Sequence, residues 1–369
     1  MKLLYVVPNL NNGGGVARVL STKTNFLIEN FGYEVHILTQ NNGNSSLFYS
    51  FNDKIDLHDM ILDGANIQFF NNFRKSLNKQ VATINPDVII VCDNGLKAFT
   101  IPFILKGNKP IIFECHGSRF IEENATNDIY FSNFLRKLKY SFKFFGARKF
   151  NKTITLSEEN RKEWSKKNSI VIPNPIWLET NETSKLNSKK AILVSRHSYE
   201  KGIDRLLLIW KKVIVKHPDW VLEIYGKSEK NNNHSALANI LNLKSNVSFF
   251  EPVNNINEKY LGASMCLMAS RFEGIPMVLI EAMASGLPCI TYDCPCGPRA
   301  VVNNNYNGFL IENSNENEFV KAVCNLIENE NLRIQMGKNA KESTNKYKTD
   351  AIMILWNELF MELVSKKSN

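Results

Sequence analysis

Short apolar runs, each followed by a longer stretch with helical spacing, recur along this 369-residue chain and restrict its fold more than any other feature. Residues 2–7 form the first run. A polar, glycine-rich turn follows over 9–15. Val16, Val19, Leu20, Phe26 and Leu27 then fall at helical spacing within 16–31, and 34–39 reads as the next strand. Strand, helix and strand in that order predict parallel pairing, because a parallel partner is reached only through a crossover. Further short strands are expected at 87–92, 110–115, 153–156 and 170–172. The alternation restarts at 191–194 and continues through 220–225, 247–250, 265–268, 288–291 and 309–311. The predicted class is α/β, with two Rossmann-like, doubly wound parallel-sheet domains over 1–175 and 176–349 and a terminal helix over 350–366. Residues 41–66, rich in Asn and Ser, read as an irregular excursion or short hairpin. Ile172-Pro173-Asn174-Pro175 ends the first domain, and the polar segment to Lys189 reads as an interdomain linker.

A hydrophobic share of 44% and a charged share of 22% are those of a soluble globular protein. The seven cysteines have no framework spacing, which points to a reducing compartment. Cys294 and Cys296 flank Pro295, but no second pair stands at zinc-site spacing. The chain opens directly on a strand, and no apolar run reaches the ~20 residues needed to span a bilayer, so a cytoplasmic protein is expected. The net charge of +9 is concentrated. Arg136, Lys137, Lys139, Lys143, Arg148, Lys149 and Lys152 follow one another with no acidic residue between them, interleaved with Phe134, Leu138, Tyr140, Phe142, Phe144 and Phe145. Such a stretch fits two descriptions. One is an amphipathic surface lying on anionic lipid, peripheral on the inner face of the membrane. The other is a helix packed by its aromatics with a solvated lysine face. No nucleic-acid motif accompanies the charge, so no nucleic-acid partner is expected.

The densest chemistry lies in the stretch RFEGIPMVLIEAMASGLP, residues 271–288. Glu273 and Glu281 stand eight positions apart around Gly274, Ile275, Pro276, Met277 and Val278. Pro276 suits the first turn of a helix, which places Glu273 in the preceding loop and Glu281 inside the helix. Gly274 lets backbone approach a ligand, and the amides at the helix start can hold an anion. The strand at 265–268 aims this turn at the carboxyl edge of a sheet, where open α/β folds bind ligands.

The pattern E-G-x-P-x-x-x-x-E-A-M-A-x-G-x-P resembles the Glu-x7-Glu signature of retaining family 4 glycosyltransferases, which have the two-domain GT-B fold. Other stretches extend the resemblance. Gly14, Gly15 and Arg18 match the family's G-G-x-E-R loop, with Ala17 in place of the acid; in relatives this loop approaches the donor diphosphate and the acceptor. His116, in ECHGS at the end of a strand, stands where the family has a histidine near the transferred sugar. Arg196 and Lys201 match G-R-L-x-x-x-K-G, with Ser195 replacing the first glycine. Val253, just after the strand at 247–250, lies in a stretch that resembles the edge where the family's nucleotide base rests. Residues 293–299 resemble a D-x-P-x-G-P-x-E loop, with Ala300 where a glutamate is common. In the family the last helix crosses back onto the first domain.

The resemblance implies a retaining glycosyltransferase that moves a sugar from a nucleotide-sugar, UDP-linked, to a glycan or lipid-linked acceptor of the cell surface, between domains that close on both substrates. Glu281 then accepts hydrogen bonds from ribose hydroxyls, and Glu273 with the following amides holds the sugar. Arg196, Lys201, Gly15 and the helix start at Pro276 face the diphosphate, and His116 positions or polarises the sugar. No cofactor and no metal are expected: the chain has no Asp-x-Asp pair and offers fixed cations instead. Two other descriptions stay open. One is a UDP-sugar epimerase of the same architecture, and the other is a non-catalytic nucleotide-sugar-binding protein.

Overall fold

The computed structural model describes residues 1–11, 14–43, 45–119, 131–178, 180–228 and 233–366. Gly13 of the glycine turn, Glu179 of the expected linker and the side chain of Phe134 lie outside the described residues. The chain forms two compact units, Met1–Trp177 with Thr349–Asn369, and Leu178–Lys348.

In the first unit seven strands, β1 (Lys2–Val6), β2 (Glu34–Gln40), β3 (Asp56–Met60), β4 (Val88–Val91), β5 (Ile111–Glu114), β6 (Lys152–Thr155) and β7 (Ser169–Val171), form one parallel sheet in the order β3-β2-β1-β4-β5-β6-β7. Alternate residues serve two cores. Leu3, Tyr5, Val35, Ile37, Val88 and Ile90 enter one, and Leu4, Val6, Leu38, Ile89 and Val91 enter the other. Burial of both faces is why these strands read as unbroken apolar runs. The first core is closed by the helix Gly15–Phe31, through Leu20 and Leu27, and by the last helix Thr349–Ser365, through Ile352, Trp356 and Phe360.

The expected excursion at 41–66 is corrected in part. β3 is a parallel edge strand on β2 rather than a hairpin arm. It sits at the sheet edge with Leu57 half-exposed and two aspartates and a histidine along it, so the apolar signal that marks the inner strands is missing.

The basic stretch departs from the description of a helix packed by its aromatics with a solvated lysine face. The helix Phe131–Ala147 leaves Leu135, Leu138, Phe142 and Phe145 exposed beside Lys137, while Tyr140 and Lys143 are buried. The aromatics are therefore not all packed inward, and the lysines are not all solvated. Phe145 stacks on the half-exposed Phe103 at 5.8 Å. No helix among the described residues is long and apolar enough to cross a membrane.

The second unit carries β8 (Lys190–Val194), β9 (Val221–Tyr225), β10 (Val247–Phe250), β11 (Met265–Met268), β12 (Cys289–Asp293) and β13 (Gly308–Glu312), all parallel, in the order β10-β9-β8-β11-β12-β13. Its core gathers Leu207, Trp210, Leu222, Ile224, Leu267 and Phe319. The indole of Trp210 donates to the carbonyl of Asn246 at 2.8 Å. The expected linker belongs to this unit from Leu178 onward. Ser184 and Leu186 are buried, Ser184 Oγ donates to Ala263 O, and Arg333 donates to Leu186 O at 2.9 Å. A polar composition hid this because the segment is held by hydrogen bonds rather than by an apolar face.

In each sheet the order reverses once, between β1 and β4 and between β8 and β11. The loops at the carboxyl ends of those strands carry most of the predicted site residues.

Candidate active site

The second unit's switch point is built from two loops. After β8 the chain runs through Arg196 to a short turn at Tyr199–Lys201, and after β11 it runs through Ser270 and Glu273 to Pro276. Gly202 locks them together. Its φ is +62°, and a Cβ there would lie 2.1 Å from the carbonyl oxygen of Ala269. Only glycine permits both the turn and the approach. The approach brings Lys201 onto Glu273: Nζ donates to both carboxylate oxygens, at 2.8 and 2.9 Å. Ser270 Oγ donates to the same carboxylate at 2.7 Å. The Glu273 side chain is 7% exposed and that of Lys201 is 23% exposed, so the pair is partly desolvated. Arg271 grips Asp204 with its two terminal guanidinium nitrogens and lies 4.0 Å over the Tyr199 ring.

Arg196 stands apart from that pair. Its guanidinium meets Glu200 at 3.2 Å, and its side chain is 62% exposed. Of the two predicted cations, only Lys201 is joined to Glu273.

The helix Met277–Ala284 follows. Pro276 does not enter its first turn as expected. Its ψ of 87° keeps it one residue outside, and its carbonyl accepts from Leu279 N at 3.0 Å. Ile275 and Pro276 are buried, while Gly274, Met277 and Val278 are half-buried. A second loop presses on this turn: Glu273 N donates to Pro295 O, and a Cβ on Gly297 would fall 1.9 Å from Gly274 O. Glu281, inside the helix and buried, accepts from the hydroxyl of Tyr260 at 3.2 Å. Val253 is half-buried beyond the end of β10, where Tyr225 and Phe250 stack at 4.7 Å.

Burial, and then the charge of Glu273, push the Cys294 thiol up to about 12. Neither Cys294 nor Cys296 joins a cluster of possible metal ligands among the described residues.

In the first unit Gly14 precedes and Gly15 begins the helix Gly15–Phe31. A Cβ on Gly15 would meet nothing within 4 Å, so the protein itself does not require glycine there. Ala17 is buried. His116 follows β5. Its Nε2 lies 3.4 Å from Glu114, its side chain is 8% exposed, and burial holds its pKa below the usual value. Ser270 and Tyr260 escaped the sequence reading, as did Glu114 and its buried partner Lys23. Of these only Ser270 had a signal, its place at the end of a strand directly before Arg271 and Glu273.

Two family models match the chain, Glycosyltransferase Family 4 over residues 13–180 and Glycosyl transferases group 1 over 178–343. An uncharacterized glycosyltransferase of Haemophilus influenzae is 29% identical over 96% of this chain and 98% of its own length. The amylovoran biosynthesis glycosyltransferase AmsD of Erwinia amylovora is 26% identical over 97% and 99%. The crystal structure of a G117R mutant of TarM from S. aureus, in complex with fondaparinux, alpha-GlcNAc-glycerol and UDP, superposes with a TM-score of 0.79 at 17% identity, covering 97% of this chain and 99% of that one. With two glycosyltransferase modules in series on two doubly wound parallel sheets, the chain belongs to the family 4, group 1 glycosyltransferases and has their GT-B fold.

Proposed function

We propose that this enzyme is a retaining transferase that uses a UDP-sugar and builds a cell-surface polysaccharide. The observation that carries the reading is the Lys201–Glu273–Ser270 constellation at the carboxyl edge of the second sheet. Lys201 has three N–H donors, two of which are committed to Glu273. The third is available to a phosphate oxygen of the donor, while Glu273 accepts from sugar hydroxyls. Charge grows on the diphosphate as the sugar bond breaks. Lys201, Arg196, the amide of Gly15 and the amides starting the helix Met277–Ala284 are assigned to offset it. Glu281 is assigned to the ribose hydroxyls, Val253 to the base, and His116 to a hydroxyl of the transferred sugar. These fixed cations and dipoles support a reaction independent of divalent metal.

The polysaccharide context is supported by the amylovoran enzyme, and a UDP-linked donor by the UDP held in the TarM complex. The acceptor is proposed to be a glycan or a lipid-linked glycan. The helix Phe131–Ala147, with its exposed Leu138, Phe142 and Phe145 beside Lys137, Arg148 and Lys149, is proposed to rest on anionic lipid. The test is nucleotide release from UDP-, GDP- and ADP-sugars with and without extracts of lipid-linked glycan. Acceptor-dependent UDP release is expected. Acceptor-independent interconversion of the sugar would favour an epimerase, and UDP binding without turnover of any donor would favour a non-catalytic protein.

A further inference from the structure

Beneath His116 lies an ion pair that the reaction outlined above does not use. Lys23, from the helix Gly15–Phe31, places Nζ 2.6 Å from Glu114 Oε1, and both side chains are 1% exposed. The ammonium also lies 3.5 Å over the ring of Trp356 and 5.8 Å from that of Tyr5. The other carboxylate oxygen accepts from Cys92 Sγ at 3.4 Å. Cys92, Glu114 and His116 could together hold a cation, but the Lys23 ammonium already sits on that carboxylate and would repel one.

A fully buried ion pair is poor value as a structural device. Taking both charges out of water costs more than their attraction commonly returns, and well-packed apolar replacements are often as stable or more so. Such a pair beside a histidine at the carboxyl end of a strand is better explained by its effect on that histidine.

We propose that Glu114 and Lys23 are a positioning pair for His116: the carboxylate, 3.4 Å from Nε2, favours the Nε2–H tautomer and leaves Nδ1 as the acceptor toward substrate, and the ammonium offsets the carboxylate so that the ring stays neutral. The surrounding groups agree. Burial would push the Glu114 carboxyl up, but the charge of Lys23 and the hydrogen bonds from Lys23 and Cys92 act against it and hold the group below its usual range. Burial, then Glu114, push the Tyr5 hydroxyl and the Cys92 thiol well above their usual ranges, so both stay protonated. For His116, burial and Lys23 favour the neutral ring and Glu114 alone favours the charged one. Among the described residues Asp93 and Lys143 also lie in this region, both buried, with Asp93 facing Lys97 and its own turn, and Glu163 accepts from Ser118 Oγ and Arg119 N just beyond His116. Removing Lys23 therefore removes the balance and leaves Glu114 to draw a proton onto His116.

The test uses the full-length protein and two variants. In the wild type, nitrogen-15 NMR of His116 should show the neutral Nε2–H tautomer at pH 7. In Lys23→Met the titration midpoint of His116 should rise by about one unit or more, and the acid limb of kcat/KM should move with it. Lys23→Met/Glu114→Leu removes both charges. It should melt no earlier than Lys23→Met, yet lose about tenfold or more in kcat with little change in donor KM. An Nδ1–H tautomer in the wild type, an unmoved midpoint in Lys23→Met, or wild-type kcat in the folded double variant would each overturn the proposal. The kinetic arms rest on the assignment of His116 to the sugar, whereas the NMR arm does not. Full turnover by His116→Ala would refute that assignment without touching the pairing.

Discussion

Lys201→Met separates a structural ion pair from a catalytic one at the second switch point. Methionine keeps the stem and removes the charge. Glu273, 7% exposed, is left with Ser270 Oγ and the Glu273 amide's own loop contact as its surroundings. A buried group that loses a partner costs about 1–3 kcal/mol, and because Lys201 is 23% exposed the lower half of that range is expected. The catalytic effect should be larger. Losing one fixed group that stabilises developing charge lowers kcat by about 10²–10³, or about 2.7–4 kcal/mol. The double variant Lys201→Met/Glu273→Gln then decides. Glutamine can still accept from Ser270 without stranding a charge, so thermal stability should recover toward wild type. Turnover, followed as UDP release at saturating donor, should not recover. A double variant with wild-type turnover would show that the pair only braces the loops, and the assignment of Lys201 to the diphosphate would fall.

Four further outcomes are expected. Glu281→Gln should keep the fold through Tyr260 and weaken donor binding in calorimetry by about 1.5–3 kcal/mol, the loss of a charged hydrogen bond. Chelator should leave the initial rate nearly untouched; complete loss restored by manganese or magnesium would refute the role given to the fixed cations. Binding to anionic vesicles should fall as salt rises, with screening over about 10 Å at 0.1 M, and should weaken in Lys137→Gln/Arg148→Gln/Lys149→Gln and in Leu138→Ser/Phe142→Ser. Equal partitioning onto neutral vesicles, or none onto either, would count against docking. At pH 8 iodoacetamide should label Cys296, the one cysteine of intermediate exposure, and spare Cys294, whose thiol, with its pKa up at about 12, has almost no thiolate there; peptide mass spectrometry reads the difference.

What was legible in the sequence follows from how each feature is encoded. Buried parallel strands such as Val88–Val91 and Met265–Met268 are apolar on both faces and announce themselves within a few residues. β3 does not, because an edge strand carrying Asp56, His58 and Asp59 has no such requirement. Glu273 and Glu281 were visible because one turn and one helix hold both. The union of Lys201 with Glu273 spans 72 positions and that of Lys23 with Glu114 spans 91, and no local pattern records such pairings. Lys143 shows the same limit: it belongs to a basic run, yet tertiary packing buries it. Charge patterning reports composition along a face, and only the packed structure says which members of the run meet water.

The last helix gives the first unit a peculiar life during synthesis. Its core contains Ile352, Met353, Trp356, Leu359 and Phe360, which leave the ribosome after the whole second unit. From Trp177 to Thr349 is 349 − 177 = 172 positions, which at about 5–20 residues per second takes on the order of ten to thirty seconds. Throughout that interval Leu20 and Leu27 wait beside a gap that the helix Thr349–Ser365 will fill, while the second unit already has every strand of its own sheet. The half of the protein made first is therefore the half finished last. A nascent chain stalled before residue 349 exposes an apolar seam that a chaperone would recognise and the completed enzyme never shows.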